Sequence, residues 1–272
     1  MANPAVVAAN CERNYVDGNA LHNKLLLNLP TKECEAVYSE LVFLPVRAHD
    51  VLNEVGEQIK YAYFMNSGLA SVLNVTQQGK SVEVGLMGKE GFVGVPLLVG
   101  FTSSPTRVIV QIQGSAFRLN AATLVECLRT CPILERRMHR HSQVLAMQAS
   151  QVATCNTLHN IDERLARWLL MSQDRIGGNV VPLTQEFLAH VLGTRRASVT
   201  VAAVLLQKAG LIKYSRGSVN IRDRQALEEA ACECYGALAK QSAKWDGEIG
   251  QPLLSKSVKP TQLSKSDGFD GF

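Results

Sequence analysis

The residues best equipped for recognition chemistry are two adjacent arginines followed by hydroxyl side chains: Arg195, Arg196, Ser198 and Thr200. An arginine fork can bond guanine O6 and N7 together, and Ser or Thr can bond bases or phosphates. The surrounding segment, residues 182–222, adds Lys208, Lys213, Arg216 and Arg222 against Glu186 alone, a local net charge of +5 in a chain whose total is +4. The remainder is therefore near neutral. A positive segment of this kind is an electrostatic footprint for a polyanion, with a solvated helix face as the alternative.

The elements that must position these groups can be read around them. Thr184 is placed to cap a helix running to Leu192, with Gln185, Glu186 and His190 outward and Phe187, Leu188 and Val191 for packing. Gly193 supplies a turn, and Thr194 begins a second helix, 195–208, whose inner face is Val199, Ala202, Ala203 and Leu206. Two helices joined by a glycine turn make a helix-turn-helix, and the start of the second helix meets base edges when it enters a major groove. Residues 211–214 and 219–221 then alternate around a basic tip, 215–218, as a hairpin wing. The expected base readers are Arg195, Arg196, Ser198 and Thr200; the expected backbone contacts are Thr184, Gln185, Thr194, Lys213 and Arg216.

With 272 residues, 46% apolar and 19% charged, the chain is long enough for about two globular domains. No apolar run approaches the roughly 18 to 20 residues of a membrane span, and residues 1–10 carry no export signal. Between residues 42 and 119, short β-branched or aromatic runs (42–46, 61–65, 69–75, 81–86, 107–112, 116–119) alternate with closely spaced glycines, the grammar of an all-β roll or barrel. Short helices are expected at 20–28, at 31–41 with Thr31 as N-cap, and at 121–129. From Pro132, the residues Leu134, Met138, His141, Leu145, Gln148, Val152 and Cys155 recur at alternating spacings of four and three. That is a coiled-coil period, and its polar members suit a pairing interface better than a domain core. A further helix spans 160–176, ended by Gly177-Gly178. The domains read as 1–19 and 239–272 without regular structure, 20–131 β-roll, 132–158 dimerisation helix and 159–238 winged helix. The tail's Lys256, Lys259 and Lys265 suit either added affinity for DNA or solubility.

With these motifs assembled, the chain resembles the Crp/Fnr family of bacterial transcriptional regulators over residues 21–237. The resemblance rests on Leu183-Thr184-Gln185-Glu186-Phe187-Leu188-Ala189, Gly193-Thr194-Arg195-Arg196-Ala197-Ser198-Val199-Thr200 and Gly210-Leu211-Ile212, with Gly56-Glu57 and Gly68 at turns of the β-roll. It implies an α+β protein: an N-terminal jelly-roll-like β-roll of cyclic-nucleotide-binding type, a long dimerisation helix and a C-terminal winged helix-turn-helix. The implied partners are double-stranded DNA, as an inverted repeat, and a second copy of the chain; RNA polymerase joins them if the protein activates transcription. By resemblance Arg196 matches the guanine-reading arginine, while Ala197 and Val201 replace an acidic and a second basic reader, so the operator sequence should differ. Val201 could contact a thymine methyl or pack.

The resemblance also implies a ligand cassette, and here the chain departs from it. Members that bind cyclic AMP use Gly-Glu for the ribose and Arg-Ser for the phosphate. This chain has Gly94-Val95, and Pro105 or Thr106 where the arginine stands, with Arg107 one place beyond. An apolar side chain cannot hold a sugar hydroxyl, and a buried phosphate needs a cation, so control by cyclic AMP is not expected unless Arg107 compensates. No cofactor is assigned and the effector is left open.

Seven cysteines lack any C-x-x-C pair, so neither a disulfide framework nor a zinc site is expected, and a reducing cytoplasm suits them. Cys11 and Cys34 are too few for the family's iron–sulfur cluster, which needs four thiolates. Cys127, Cys131, Cys232 and Cys234 read as buried or incidental thiols, and His139, His141, His159 and His190 as lacking ligand partners. No catalytic motif is present, so the expectation is a non-enzyme. The rival class is a cytosolic sensor or scaffold whose β-roll is the active part and whose basic segment binds a protein.

Overall fold

The computed structural model describes residues 14–247. Cys11 and the tail lysines fall outside the described residues. In chain order the elements are β1 (Tyr15–Val16), β2 (Asn19–Ala20), α1 (Thr31–Tyr38), β3 (Val42–Val46), β4 (Val51–Asn53), β5 (Tyr61–Val75), β6 (Ser81–Met87), β7 (Phe92–Val93) and β8 (Arg107–Asn120). Then follow α2 (Ala121–Leu128), α3 (Pro132–Leu158), α4 (Ile161–Ile176), β9 (Val180–Pro182), α5 (Gln185–Val191), α6 (Arg196–Lys208), β10 (Ile212–Ser215), β11 (Ser218–Ile221), α7 (Arg224–Glu229) and α8 (Cys234–Gly247).

Order begins inside the segment expected to lack it, because Asp17 and Gly18 at positive φ make the turn that pairs β1 with β2. At the other end, α8 continues past residue 238 to Gly247. The helix expected at 20–28 is replaced by turns. Asn23 diverts the backbone: its Oδ1 accepts from the N–H groups of Leu25 and Leu26, and its Nδ2 donates to the carbonyls of Met65 and Gly91 at 2.8 and 2.9 Å. Such side-chain bonds compete with a helical ladder. Pro30, not Thr31, stands as N-cap of α1.

The β-roll is built on the antiparallel order β3-β8-β5-β6, with β4 also on β8 and β7 on β5. The sequence pieces 61–65 and 69–75 are one bulged strand, as are 107–112 and 116–119. Gly68 therefore sits in a bulge rather than a turn. A Cβ there would lie 2.5 Å from the carbonyl oxygen of Ile112, and one at Gly114 would lie 2.4 Å from that of Ser67, so two glycines let the crossing backbones approach.

The heptad stripe of α3 has a different partner from the one its period suggested. Leu134 and Met138 are buried with Phe64, Phe92 and Phe117 in the chain's own β-roll core. His141 lies 5.6 Å from the Phe92 ring centroid, over Gly91, where a Cβ would meet its ring at 2.5 Å. Leu145 packs on Gly85, and Gln148 Oε1 accepts from the Leu86 N–H at 3.1 Å. Val152 and Cys155 are buried as well. The expected dimer seam, Leu134, Met138, His141, Leu145, Gln148 and Val152, is thus covered within the protomer, and its polar members are explained by a backbone bond and an aromatic contact. Glu33 fixes the start of α3 by accepting from the N–H groups of Ile133 and Leu134 at 3.0 and 2.9 Å, a carboxylate at a helix N-terminus.

Beyond α3, the sheet β10-β11-β9 and helices α4 to α7 enclose a second core around Trp168, Leu188, Val199 and Leu206. Asn160 and Glu163 form a capping box for α4, and Gly177 closes it in the left-handed conformation. Leu69, Leu86 and Ile112 of the β-roll join this core. Trp168 Nε1 donates to Glu83 Oε1 on β6 at 2.9 Å, and a Cβ on Gly193 would lie 3.0 Å from Val82 of the same strand.

Candidate nucleic-acid interface

Helices α5 and α6 with the turn between them form the helix-turn-helix. Thr184 caps α5 by accepting from the Phe187 N–H at 3.2 Å. Gly193 has φ 58, and Thr194 donates its N–H to the Ala189 carbonyl at 2.9 Å, so Thr194 lies in the turn and Arg195, not Thr194, is the N-cap of α6. On α6, Val199, Ala202, Ala203 and Leu206 are buried as expected. The opposite side carries Arg195, Arg196 and Ala197, all exposed, and Val201 with 60% of its surface open. Val201 is therefore not a packing residue. Ser198 is half-buried on the same end.

Thr200 departs from its expected place as a free base reader. Its hydroxyl lies 3.0 Å from both Gln185 Oε1 and the Arg196 carbonyl, and its one hydrogen is engaged within the protein. Gln185 is correspondingly held by α6.

The wing is the β10–β11 hairpin, closed by Ser215 opposite Ser218 with Arg216-Gly217 at the tip and Gly217 at φ 80. Gln207 Oε1 accepts from the Tyr214 N–H at 2.8 Å, which docks the wing onto α6. Burial pushes the Tyr214 hydroxyl above its ordinary range. Lys213 and Arg216 are exposed, and among the described residues none of Arg195, Arg196, Lys213 and Arg216 enters an ion pair. Four unneutralised cations thus sit on two elements locked together.

The β-roll holds a cavity of about 220 Å³ where a ligand cassette belongs, closed on one side by Leu145 and Ala149 of α3. Val72, Val84, Met87, Phe92, Val95, Pro96, Pro105 and Val108 make its wall apolar; Asn53, Ser104 and Thr106 are its polar members. Gly94, at φ 113, opens the short 3₁₀ turn Val95–Val99. Arg107 does not line the cavity. Its Nε donates to both carboxylate oxygens of Glu54 at 3.0 and 2.9 Å, and this bond holds the Glu54 carboxyl below its ordinary range.

One side-chain cluster joins residues far apart in the chain. Cys155, His159, Cys232 and Cys234 come together at the junction of α3 and α8 with all their ligand atoms within 4.8 Å of one another. His159 therefore does have cysteine partners, and Cys232 and Cys234 are buried thiols, as expected. Hydrogen bonding from Cys232 holds the Cys155 thiol below its ordinary range, while the same bond and burial push Cys232 up. The legible signal was Cys155-x-x-x-His159, one helical turn apart, with Cys232-x-Cys234 elsewhere in the chain.

A β-roll enclosing a cavity, joined by a long helix to a winged helix-turn-helix with free cations, defines a DNA-binding type of regulator. Comparison with known families agrees: residues 43–131 match the cyclic nucleotide-binding domain and residues 163–230 the Crp-like helix-turn-helix domain. The chain belongs to the Crp/Fnr family of transcriptional regulators. Similar solved structures include FixK2 from Bradyrhizobium japonicum, at 16% identity and TM-score 0.61 over 71% of this chain and 98% of that one. A putative regulator of the crp/fnr family from Eubacterium rectale ATCC 33656 is 16% identical with TM-score 0.60 over 77% and 98% of the two chains. The c-di-GMP responsive global regulator CLP of Xanthomonas campestris is 15% identical with TM-score 0.58 over 71% and 99%. At such identities the likeness establishes the fold. No curated protein sequence matched the chain. Among the described residues no helix is long and apolar enough to cross a membrane.

Proposed function

We propose that this regulator acts as a homodimer on an inverted repeat, reading bases with Arg195, Arg196, Ser198 and Val201. Thr184, Gln185, Thr194, Lys213 and Arg216 hold the phosphates. The observation that carries the reading is the set of four exposed cations without ion pairs, two on the first turn of α6 and two on the wing docked to it. A recognition helix presents its N-terminal residues to base edges while flanking cations hold the phosphates. Since the apolar stripe of α3 is spent on the protomer's own core, the dimer contact falls to its outward strip of Gln143, Ala146, Ser150 and Ala153, all exposed, the last three small enough for two helices to approach closely. If it activates transcription, RNA polymerase is a further partner.

Cyclic AMP is not its effector in this reading. Among the described residues no cation lines the cavity, Val95 cannot accept from a ribose hydroxyl, and Arg107 is committed to Glu54. An uncharged, largely apolar small molecule suits the wall better.

The test is selection of bound fragments from random duplex DNA by the purified full-length chain without nucleotide. Enriched sequences should show two-fold related half-sites about 10 base pairs apart, matching recognition helices one helical turn, about 34 Å, from each other. Enrichment of non-palindromic sequences would refute the two-fold reading. Binding that does not weaken with salt would favour a protein partner for the basic segment.

A further inference from the structure

We propose that Cys155, His159, Cys232 and Cys234 form a Cys3His site for a tetrahedral divalent metal ion of zinc type, at the joint between α3 and the winged helix. The geometry is that of a site one ion would complete. Cys155 Sγ lies 3.5 Å from Cys232 Sγ, and Cys234 Sγ lies 3.4 Å from His159 Nδ1. Zinc sits about 2.3 Å from thiolate sulfur and about 2.0 to 2.1 Å from imidazole nitrogen, so a tetrahedron around it has sulfur–sulfur edges of about 3.8 Å and sulfur–nitrogen edges of about 3.6 Å. These two separations match those edges to within a few tenths of an ångström, and all four ligand atoms lie within 4.8 Å of one another, so small side-chain shifts would close the tetrahedron. They are far from the roughly 2.05 Å of a disulfide. The three sulfurs are buried.

The surroundings also fit. His159 turns Nδ1 to the cluster while Nε2 meets Glu233 Oε1 at 3.2 Å, the carboxylate–histidine–metal arrangement that fixes tautomer and ring orientation. Gln151 Nε2 donates to Cys234 Sγ at 2.9 Å. Arg164 and Arg167 are 9% and 3% exposed and each keeps a buried Nε without a partner; Arg164 otherwise donates to the Leu192 carbonyl, and Arg167 also feels the charge of Glu83. Buried guanidiniums require a nearby anion. Three thiolates and a divalent ion carry a net charge of −1, and the electrostatic coupling of both arginines to Cys155 places them beside it. Loading replaces the thiol protons: the metal gains three S–metal bonds and one N–metal bond, and the protons leave to solvent without any redox change. A soft, thiolate-rich tetrahedral set selects zinc over harder cations.

The consequence is mechanical. Cys155 lies in the last turn of α3 and His159 caps its C-terminus, while Cys232 precedes α8 and Cys234 opens it, so one ion would clamp the chain on both sides of the DNA-binding unit. Full-length protein purified under reducing conditions should contain about one zinc per chain by elemental mass spectrometry. After chelation, Co2+ should give the visible and thiolate charge-transfer bands of tetrahedral cobalt, and zinc should abolish them. Cys155→Ser and Cys234→Ser should lose this signal, Cys127→Ser should keep it, and Glu233→Gln, at an exposed position, should weaken zinc by about 10- to 100-fold. Should a cysteine variant fail to fold, the wild-type cobalt spectrum still reports thiolate ligation. Reduced protein that takes up neither ion, or a native mass two hydrogens lower with Cys155 linked to Cys232, would overturn the proposal. The measurement involves no DNA, so its failure leaves the operator reading intact.

Discussion

Glu83→Gln isolates the buried carboxyl that joins the β-roll to the DNA-binding unit. Glu83 Oε2 accepts from Ser71 Oγ at 2.5 Å and Oε1 accepts from Trp168 Nε1 at 2.9 Å. Burial pushes its pKa up from 4.5 to about 7, against those two bonds and the charges of Arg167 and Arg175. The folded-state value lies above the unfolded one, so the native chain holds more protons between these limits. The stability contributed is full below about 4.5 and is lost as pH climbs through about 7, ~3 kcal/mol in all. His141 runs the opposite way: burial holds it down from 6.5 to about 4, and its share of stability is lost as pH falls through that window. The wild-type profile is therefore flattened, and the variant is needed to expose the Glu83 contribution. Glutamine keeps an acceptor for Trp168 and can donate to Ser71 without titrating. Urea midpoints followed by Trp fluorescence at several pH values from 4.5 to 8.5 should show the variant gaining on wild type as pH rises. The gain should approach ~3 kcal/mol. A wild-type-minus-variant difference that is flat with pH would refute the assignment.

Met138→Ala should cost about 2 to 5 kcal/mol of protomer stability, because the side chain is fully buried in the β-roll core, while leaving sedimentation of the folded species unchanged. Arg196→Ala should lose about 1 to 3 kcal/mol on the selected operator and relax preference at one symmetric pair of positions, as fluorescence anisotropy on single-base variants would show. Arg216→Ala should weaken all duplexes alike and lower the salt slope by about one per wing engaged. Calorimetry with millimolar cyclic AMP or cyclic GMP, on protein competent for DNA, should give no saturable heat.

The winged helix was legible because its signals are local: Thr184 as cap, Gly193 as turn, four buried positions at helical spacing and a hairpin with a basic tip. The strands of the β-roll were legible as apolar runs, but the bulges that fuse them were not, since they depend on Gly68 and Gly114 meeting across β5 and β8. The α3 stripe shows where pattern stops. A period near 3.5 residues says that one face is covered, not by what, and the sheet supplied the cover through Gly85, Gly91 and the Leu86 N–H. The cysteine–histidine cluster was not legible for a related reason: Cys155 and His159 are a helical turn apart, but Cys232 and Cys234 lie 77 and 75 residues from Cys155 and His159 respectively. Arg107 illustrates a contact decided by side-chain direction, since one place in register separates a cavity wall from an ion pair with Glu54.

Strand β6 connects the sensor to the reader. It touches both units: Val84 and Gly85 line the cavity, Glu83 bonds Trp168 of α4, and Val82 meets the turn at Gly193, with a bulge in the β5–β6 pairing leaving Val84 without a partner between Glu83 and Gly85. Leu145 and Ala149 close the same cavity from α3, the helix that leads directly into α4. A ligand shifts the DNA-binding unit only to the extent that it binds one arrangement of these elements better than another. Ala149→Phe tests whether the contacts couple, because its ring would occupy the cavity and press on β6 and α3 as a ligand does. We expect a higher melting temperature from filled apolar space together with a change of several-fold in operator affinity. A raised melting temperature with operator affinity unchanged would show that packing in the cavity and the placement of α6 are independent, and that β6 is scaffold rather than a route for the signal.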